Sequence, residues 1–216
     1  MIKVRENIIF MGPPGAGKGT VAEVLSKTTD LVHISTGNIF REEIAKQTPL
    51  GLKIKELVES GSYVTDEITN EIVKNKVLEL HKKNKFMILD GYPRTLEQAR
   101  FLDKIKEVKF KVVQLVANED IIIERLTGRR FCSKCNSTYH IPYRPSKQGD
   151  LCEKCLIPLS IRKDDAPEAI KVRLITYVNQ TKPLLDYYAK TKRMVEVDSL
   201  RAPEVIAQDI LDLLQK

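Results

Sequence analysis

The densest chemistry lies near the start of the chain, where Ile8-Ile9-Phe10-Met11 leads into Gly12-Pro13-Pro14-Gly15-Ala16-Gly17-Lys18-Gly19-Thr20. Glycines let backbone N–H groups curl around an anion, and a helix starting behind them adds its N-terminal partial positive charge. Lys18 can then reach terminal phosphates as a mobile point charge. A glycine-rich turn without such flanks would mean little. Here an apolar run precedes the loop and the amphipathic pattern Val21, Val24, Leu25 follows it, the strand–loop–helix context of a phosphate loop. The match to G-x4-G-K-[ST] is imperfect, because Gly19 stands where Ser or Thr usually meets magnesium and Thr20 comes one place later.

A second constellation is Cys132, Cys135, Cys152 and Cys155, spaced C-x2-C-x16-C-x2-C. This is zinc-site spacing, and four thiolates close a tetrahedron with no open position, so the expected zinc is structural. Two disulfides are the alternative, disfavoured in the reducing cytoplasm.

Asp90 ends the apolar run Phe86-Met87-Ile88-Leu89. Beside a phosphate loop, such an acid is expected to organise Mg²⁺, through water because magnesium keeps several of its waters. A turn or helix-cap aspartate is the plainer reading. Arg41, Arg94, Arg125, Arg129, Arg162 and Arg173 all fall beside turns or on helices bordering this region. Singly, each reads as a surface residue; as a set they match what phosphoryl transfer demands, positive charge fixed around the moving group.

The elements that must position these residues alternate. Apolar strands are expected at residues 8–11, 32–34, 86–89, 112–116 and 194–197, with amphipathic helices between them, one of them a long helix over 167–189. This pattern predicts an α/β fold with a parallel five-stranded sheet flanked by helices. The alternation breaks between residues 128 and 165, which hold every cysteine together with Pro142, Pro145, Gly149 and Pro158. That segment reads as an inserted small lobe tied by metal.

At 216 residues, with 42% hydrophobic and 30% charged residues, the chain suits one sizeable globular domain with inserted lobes. No apolar run approaches the ~20 residues of a membrane helix, and no secretory pattern opens the sequence, so a cytoplasmic protein is expected. The net charge of +7 admits two readings, a pocket for several phosphates or a nucleic-acid surface. Against a nucleic-acid role for the cysteine lobe stands its lack of an aromatic stacking platform, with only Tyr139 and Tyr143 inside it and Phe131 beside its first cysteine.

Taken together, residues 12–20, Ser35-Thr36-Gly37, Asp90-Gly91-Tyr92-Pro93-Arg94-Thr95, Gly128-Arg129-Arg130 and Arg162-Lys163-Asp164-Asp165 closely resemble the adenylate kinase family in its long form with a zinc-carrying lid. The resemblance spans essentially the whole chain, with the motifs in the family's order. It implies a P-loop NTPase-type fold and the reaction ATP + AMP = 2 ADP. It further implies a core of residues 1–34, 65–127 and 166–216, an NMP-binding lobe at 35–64 and a zinc-binding lid at 128–165. Gly15, Ala16, Gly17, Lys18, Gly19 and Thr20 would hold the ATP phosphates, with Arg125, Arg129, Thr138, Tyr139 and Arg201 flanking the nucleotide. Thr36, Arg41, Ser62, Tyr63, Val64, Gly91, Tyr92, Pro93, Arg94 and Gln98 would form the AMP site. Arg162 and Arg173 would bridge toward AMP and the transferred phosphoryl, while Asp164 and Asp165 would help the lid close. Lys18, Asp90, Arg94, Arg129, Arg162 and Arg173 form the implied catalytic set. Relatives acting on UMP or CMP usually carry alanine at the place of Thr36 and asparagine at that of Thr95, so AMP is the expected acceptor. Asn38 departs from the family's usual aspartate without altering the expected reaction. A monomer is expected, with nucleotides as partners and neither nucleic acid nor membrane.

Overall fold

The computed structural model describes residues 1–214. Its strands are β1 (Asn7–Met11), β2 (Val32–Ser35), β3 (Met87–Asp90), β4 (Phe110–Val116), β5 (Arg129–Phe131), β6 (Thr138–His140) and β7 (Met194–Asp198). Five of them pair in parallel in the order β2-β3-β1-β4-β7, and β5 and β6 form a separate antiparallel pair. The expected five-stranded α/β sheet is therefore present. The cysteine segment adds a small hairpin that its turn-rich sequence did not announce.

Strand β1 sits at the centre of the sheet and alternates its side chains between two cores. Ile9 and Met11 join Val73, Val77, Leu102 and Leu184 on one face; Ile8 and Phe10 join Val21, Leu25, Ile206 and Ile210 on the other. Burial on both faces explains why these strands read as unbroken apolar runs.

The helices are α1 (Lys18–Thr28), α2 (Thr36–Ala45), α3 (Pro49–Glu59), α4 (Asp66–Lys82), α5 (Leu96–Asp103), α6 (Glu119–Thr127), α7 (Pro167–Thr176), α8 (Pro183–Lys190) and α9 (Pro203–Leu214). Their starts are written locally. The side chains of Ser35, Thr48, Thr95 and Asn118 each accept a backbone N–H from the first turn of α2, α3, α5 and α6, satisfying donors that have no partner within the helix.

One expectation needs refining. The segment over residues 167–189 is helical, but α7 and α8 are joined through a π-turn, Tyr177–Thr181. Pro183 has no N–H, and its ring clashes with the carbonyl four residues back in a regular helix. The wider turn avoids that conflict, with Lys182 N–H donating to the Tyr177 carbonyl at 2.8 Å. It also turns Thr181 inward, where its hydroxyl donates to the Arg94 carbonyl at 2.8 Å.

Helices α2 and α3 pair closely over a small core of Phe40, Ile54 and Val64. Gly51 makes this approach possible, since a Cβ there would lie 2.1 Å from the Glu43 carbonyl oxygen. Gly51→Ala is expected to force the pair apart and lower stability by about 1–3 kcal/mol, an overpacking cost measurable by chemical denaturation.

Candidate active site

The carboxyl ends of β1, β2 and β3 open into one cleft of about 830 Å³. In a parallel sheet this is where the strand-to-helix turns leave backbone groups free for a ligand. The glycine-rich loop after β1 curls over its own lysine. Gly15 and Gly17 take φ of +85° and +90°, a region open to glycine, and Lys18 Nζ donates to the Gly12 and Pro13 carbonyls at 2.7 Å each. Burial pushes the Lys18 ammonium down to about 8; Asp90 opposes that shift, and Arg94, Arg173 and Arg129 reinforce it.

Asp90, at the end of β3, faces the loop. Burial pushes its carboxyl up, but the His33 hydrogen bond (Nε2 to Oδ2, 3.3 Å) and the charges of His33, Lys18 and Arg94 outweigh this and hold it below the usual range. A Cβ at Gly19 would lie 3.3 Å from Asp90 Oδ2. Glycine in place of the usual Ser or Thr thus leaves the space in front of the carboxylate open.

Arginines line the cleft around the loop. Arg129 makes a two-pronged contact with Asp165, through Nε at 2.7 Å and through Nη2. Arg173 Nη1 donates to Asp165 Oδ1 at 2.6 Å and to the Asp164 carbonyl at 2.8 Å. Arg41 rests on Asn38 Oδ1 at 2.6 Å, Arg94 Nε on the Gly91 carbonyl at 2.7 Å, and Arg125 on the Ser199 carbonyl at 2.8 Å. Arg162 donates to Thr138 Oγ1 at 3.1 Å and lies over the Phe131 ring. The Nε atoms of Arg41 and Arg162 are buried with no partner. Burial pushes Arg41 down to about 10 and Arg162 well below its ordinary value, with neighbouring arginines adding to both shifts. Unpaired donors and crowded positive charge make this a receptor for anions with many oxygens.

Beside the cleft, Cys132, Cys135, Cys152 and Cys155 bring their Sγ atoms within 4.8 Å of one another. Two matching turns build the cluster. The Asn136 N–H donates to the Cys132 carbonyl and the Leu156 N–H to that of Cys152, and both Asn136 and Leu156 adopt positive φ. All four thiols are free, and the cluster can hold a metal ion.

A family model described as adenylate kinase matches residues 10–193. The chain belongs to the adenylate kinase family. It is 48% identical to an adenylate kinase of Mycoplasma mobile over 208 residues, covering 95% of this chain and 96% of the relative. It is 46% identical to those of Mycoplasmopsis pulmonis and Treponema denticola, covering 95% and 93% of this chain and 96% and 95% of the relatives.

For an adenylate kinase family member, the cleft gathers most of the residues the sequence pointed to. The phosphate-loop residues, Asp90, Arg41, Arg94, Arg125, Arg129, Arg162, Arg173 and Arg201 all border it, as do Thr138, Ser62, Tyr63, Val64, Gly91 and Pro93. Tyr139 also borders it, but its ring is buried and its hydroxyl accepts the Glu153 N–H at 3.0 Å beside the cysteine cluster. Thr36, Tyr92 and Gln98 stand one layer behind the wall. Thr36 donates to the Gly91 carbonyl, Tyr92 to Asn70, and Gln98 accepts the Arg94 N–H.

Sequence reasoning missed His33, and it missed the contacts that tie the segments around the cleft together. Glu23 on α1 meets Arg144 at 3.2 Å and Lys154 at 3.8 Å, and Glu59 on α3 meets Lys163 at 3.0 Å. These partners lie far apart in sequence, and no local pattern signals them. Lys18 must be protonated to attract a phosphate chain, so kcat/KM for a nucleoside triphosphate is expected to fall as pH rises through about 8, the free-enzyme value, in a steady-state pH profile.

Proposed function

We propose that the chain transfers the γ-phosphoryl group of ATP reversibly to AMP, giving two ADP. The observation that carries this reading is the convergence of Lys18 and the arginines on one cleft, in a chain of this family. The loop wall suits a triphosphate. The wall with Arg41, Arg94 and residues 61–64 suits a second, shorter phosphate chain.

An oxygen of the acceptor phosphate attacks the γ-phosphorus, and the bond to the bridging β,γ-oxygen breaks to release ADP. That oxygen is already ionised, so no side-chain base is needed; positioning and charge suffice. Lys18 holds the donor phosphates, Arg129, Arg162 and Arg173 surround the transferred group, and Arg41 and Arg94 grip the acceptor. Asp90 would hold magnesium through water, and the ion would supply positive charge against the donor phosphates. Thr36 and Gln98 support AMP over pyrimidine monophosphates, as does Thr95 at the α5 cap.

Residues 128–165 act as the lid, 35–64 as the acceptor lobe, and 1–34, 65–127 and 166–216 as the core. Closing both lobes would keep water from the phosphoryl group. Among the described residues no helix is long and apolar enough to cross a membrane. Free thiols accord with a reducing cytoplasm, and one chain carries both walls of the cleft, which suits a monomer.

The cysteine cluster fits structural zinc. A Zn–S bond of about 2.3 Å in a tetrahedron spaces sulfurs about 3.8 Å apart, close to the 3.6 Å between Cys135 and Cys152. About one zinc per chain is expected by metal analysis. Cys132→Ser is expected to lower Tm far more than it lowers low-temperature kcat; an unchanged Tm would remove the structural role.

A coupled assay should yield ADP from ATP-Mg and AMP, with Lys18→Ala and Arg94→Ala each reducing kcat/KM at least a hundredfold (about 2.7 kcal/mol). Brisk turnover of UMP or CMP without AMP turnover would assign a different acceptor.

A further inference from the structure

We propose that Asp66 sets the choice of acceptor base by locking the amide of Gln98 in one orientation. The proposal rests on the proposed role of Gln98, buried behind the cleft wall in this structure, as the residue whose amide reads the acceptor's adenine once that wall admits it.

Gln98 lies in the first turn of α5 and is 1% exposed. Its Nε2 donates to Asp66 Oδ1 at 2.8 Å, and its Oε1 accepts the Arg94 backbone N–H at 2.7 Å. A carboxylate only accepts and a backbone N–H only donates, so both partners demand the same placement of oxygen and nitrogen. Turning the amide over would set Oε1 against the carboxylate and Nε2 against the N–H, two like-to-like contacts.

The lock is itself braced. Asp66 Oδ2 accepts the Thr95 hydroxyl at 2.9 Å, and that hydroxyl accepts the Gln98 N–H at 3.2 Å. Arg94 is held from the other side, its carbonyl taking the Thr181 hydroxyl at 2.8 Å. The first residue of α4 and the cap of α5 thus form one network behind the cleft wall.

What remains of the Gln98 amide is one N–H and one lone pair, with its oxygen and nitrogen held in a fixed order. Adenine presents an acceptor at N1 beside a donor at its 6-amino group. Hypoxanthine presents the reverse, a donor at N1 beside an acceptor at O6. A glutamine free to flip serves both edges; a locked one serves one. Asp66 is therefore a positioning residue for specificity.

The test compares kcat/KM for AMP and for inosine monophosphate in the wild type, Asp66→Asn, Asp66→Ala and Gln98→Ala, with KM for ATP measured alongside. Asparagine keeps the size of Asp66 but can donate or accept, so it carries the test if the alanine variant fails to fold. Both Asp66 variants are expected to lower the AMP-to-IMP ratio about tenfold, the worth of one buried hydrogen bond, while KM for ATP holds. An equal loss with both acceptors would mark Asp66 as merely structural and overturn the proposal. If Gln98→Ala lowers the ratio and neither Asp66 variant does, Gln98 keeps its role and the lock is overturned. A ratio unmoved by Gln98→Ala removes the role of Gln98 and the lock with it.

Discussion

The structure depends on holding a concentration of positive charge that no protein group fully balances. Lys18 and the arginines at positions 41, 94, 129, 162 and 173 crowd one cleft, and burial, with mutual repulsion added, drives several of them below their ordinary pKa values. Like charges a few ångströms apart in a low-dielectric pocket repel strongly. Asp90, Asp164 and Asp165 offset part of this: Asp165 takes both Arg129 and Arg173, and Asp164 also pairs with Arg173. The remaining imbalance, expressed as buried guanidinium nitrogens without partners, suits polyphosphate, and a ligand that completes the balance stabilises the arrangement that binds it.

Such an arrangement needs rigid supports. The parallel sheet supplies them, because every strand delivers its turn to the same edge. Strand β1 brings the phosphate loop, β2 the cap of α2 leading to Arg41, and β3 the segment from Asp90 to Arg94. The cysteine-tied lobe and the α2–α3 pair complete the walls; beside the buried Asp165–Arg173 contact, the lobe meets α1 through Arg144–Glu23 and α3 through Lys163–Glu59, both exposed or half-buried ion pairs. Pairs of that kind contribute little individually, typically under about 1 kcal/mol. They suit segments that must separate as well as meet.

Much of this was legible because its physical causes are local. The run from Ile8 to Thr20 carries strand, turn and helix start within neighbouring residues, and the cysteine spacing carries its own geometry. The hairpin of β5 and β6 was not legible, since its strands are short and framed by turn formers. Nor was the interruption after α7. Pro183 suits the first turn of a new helix as readily as it breaks an old one, and the π-turn is the packed compromise that also brings Thr181 to Arg94.

By itself the sequence determined the α/β class, the phosphate loop, the four-thiol cluster and the supply of arginines, because each depends on residue type and short spacing. Only the tertiary structure decided which carboxylate answers which arginine, that Gly19 leaves room before Asp90, and that Asp66 meets Gln98 from 32 residues away. Those facts depend on where separate helices and strands come to rest against one another. That is fixed by burial on both faces of the sheet and by close approaches such as Gly51 against Glu43, which no local pattern encodes.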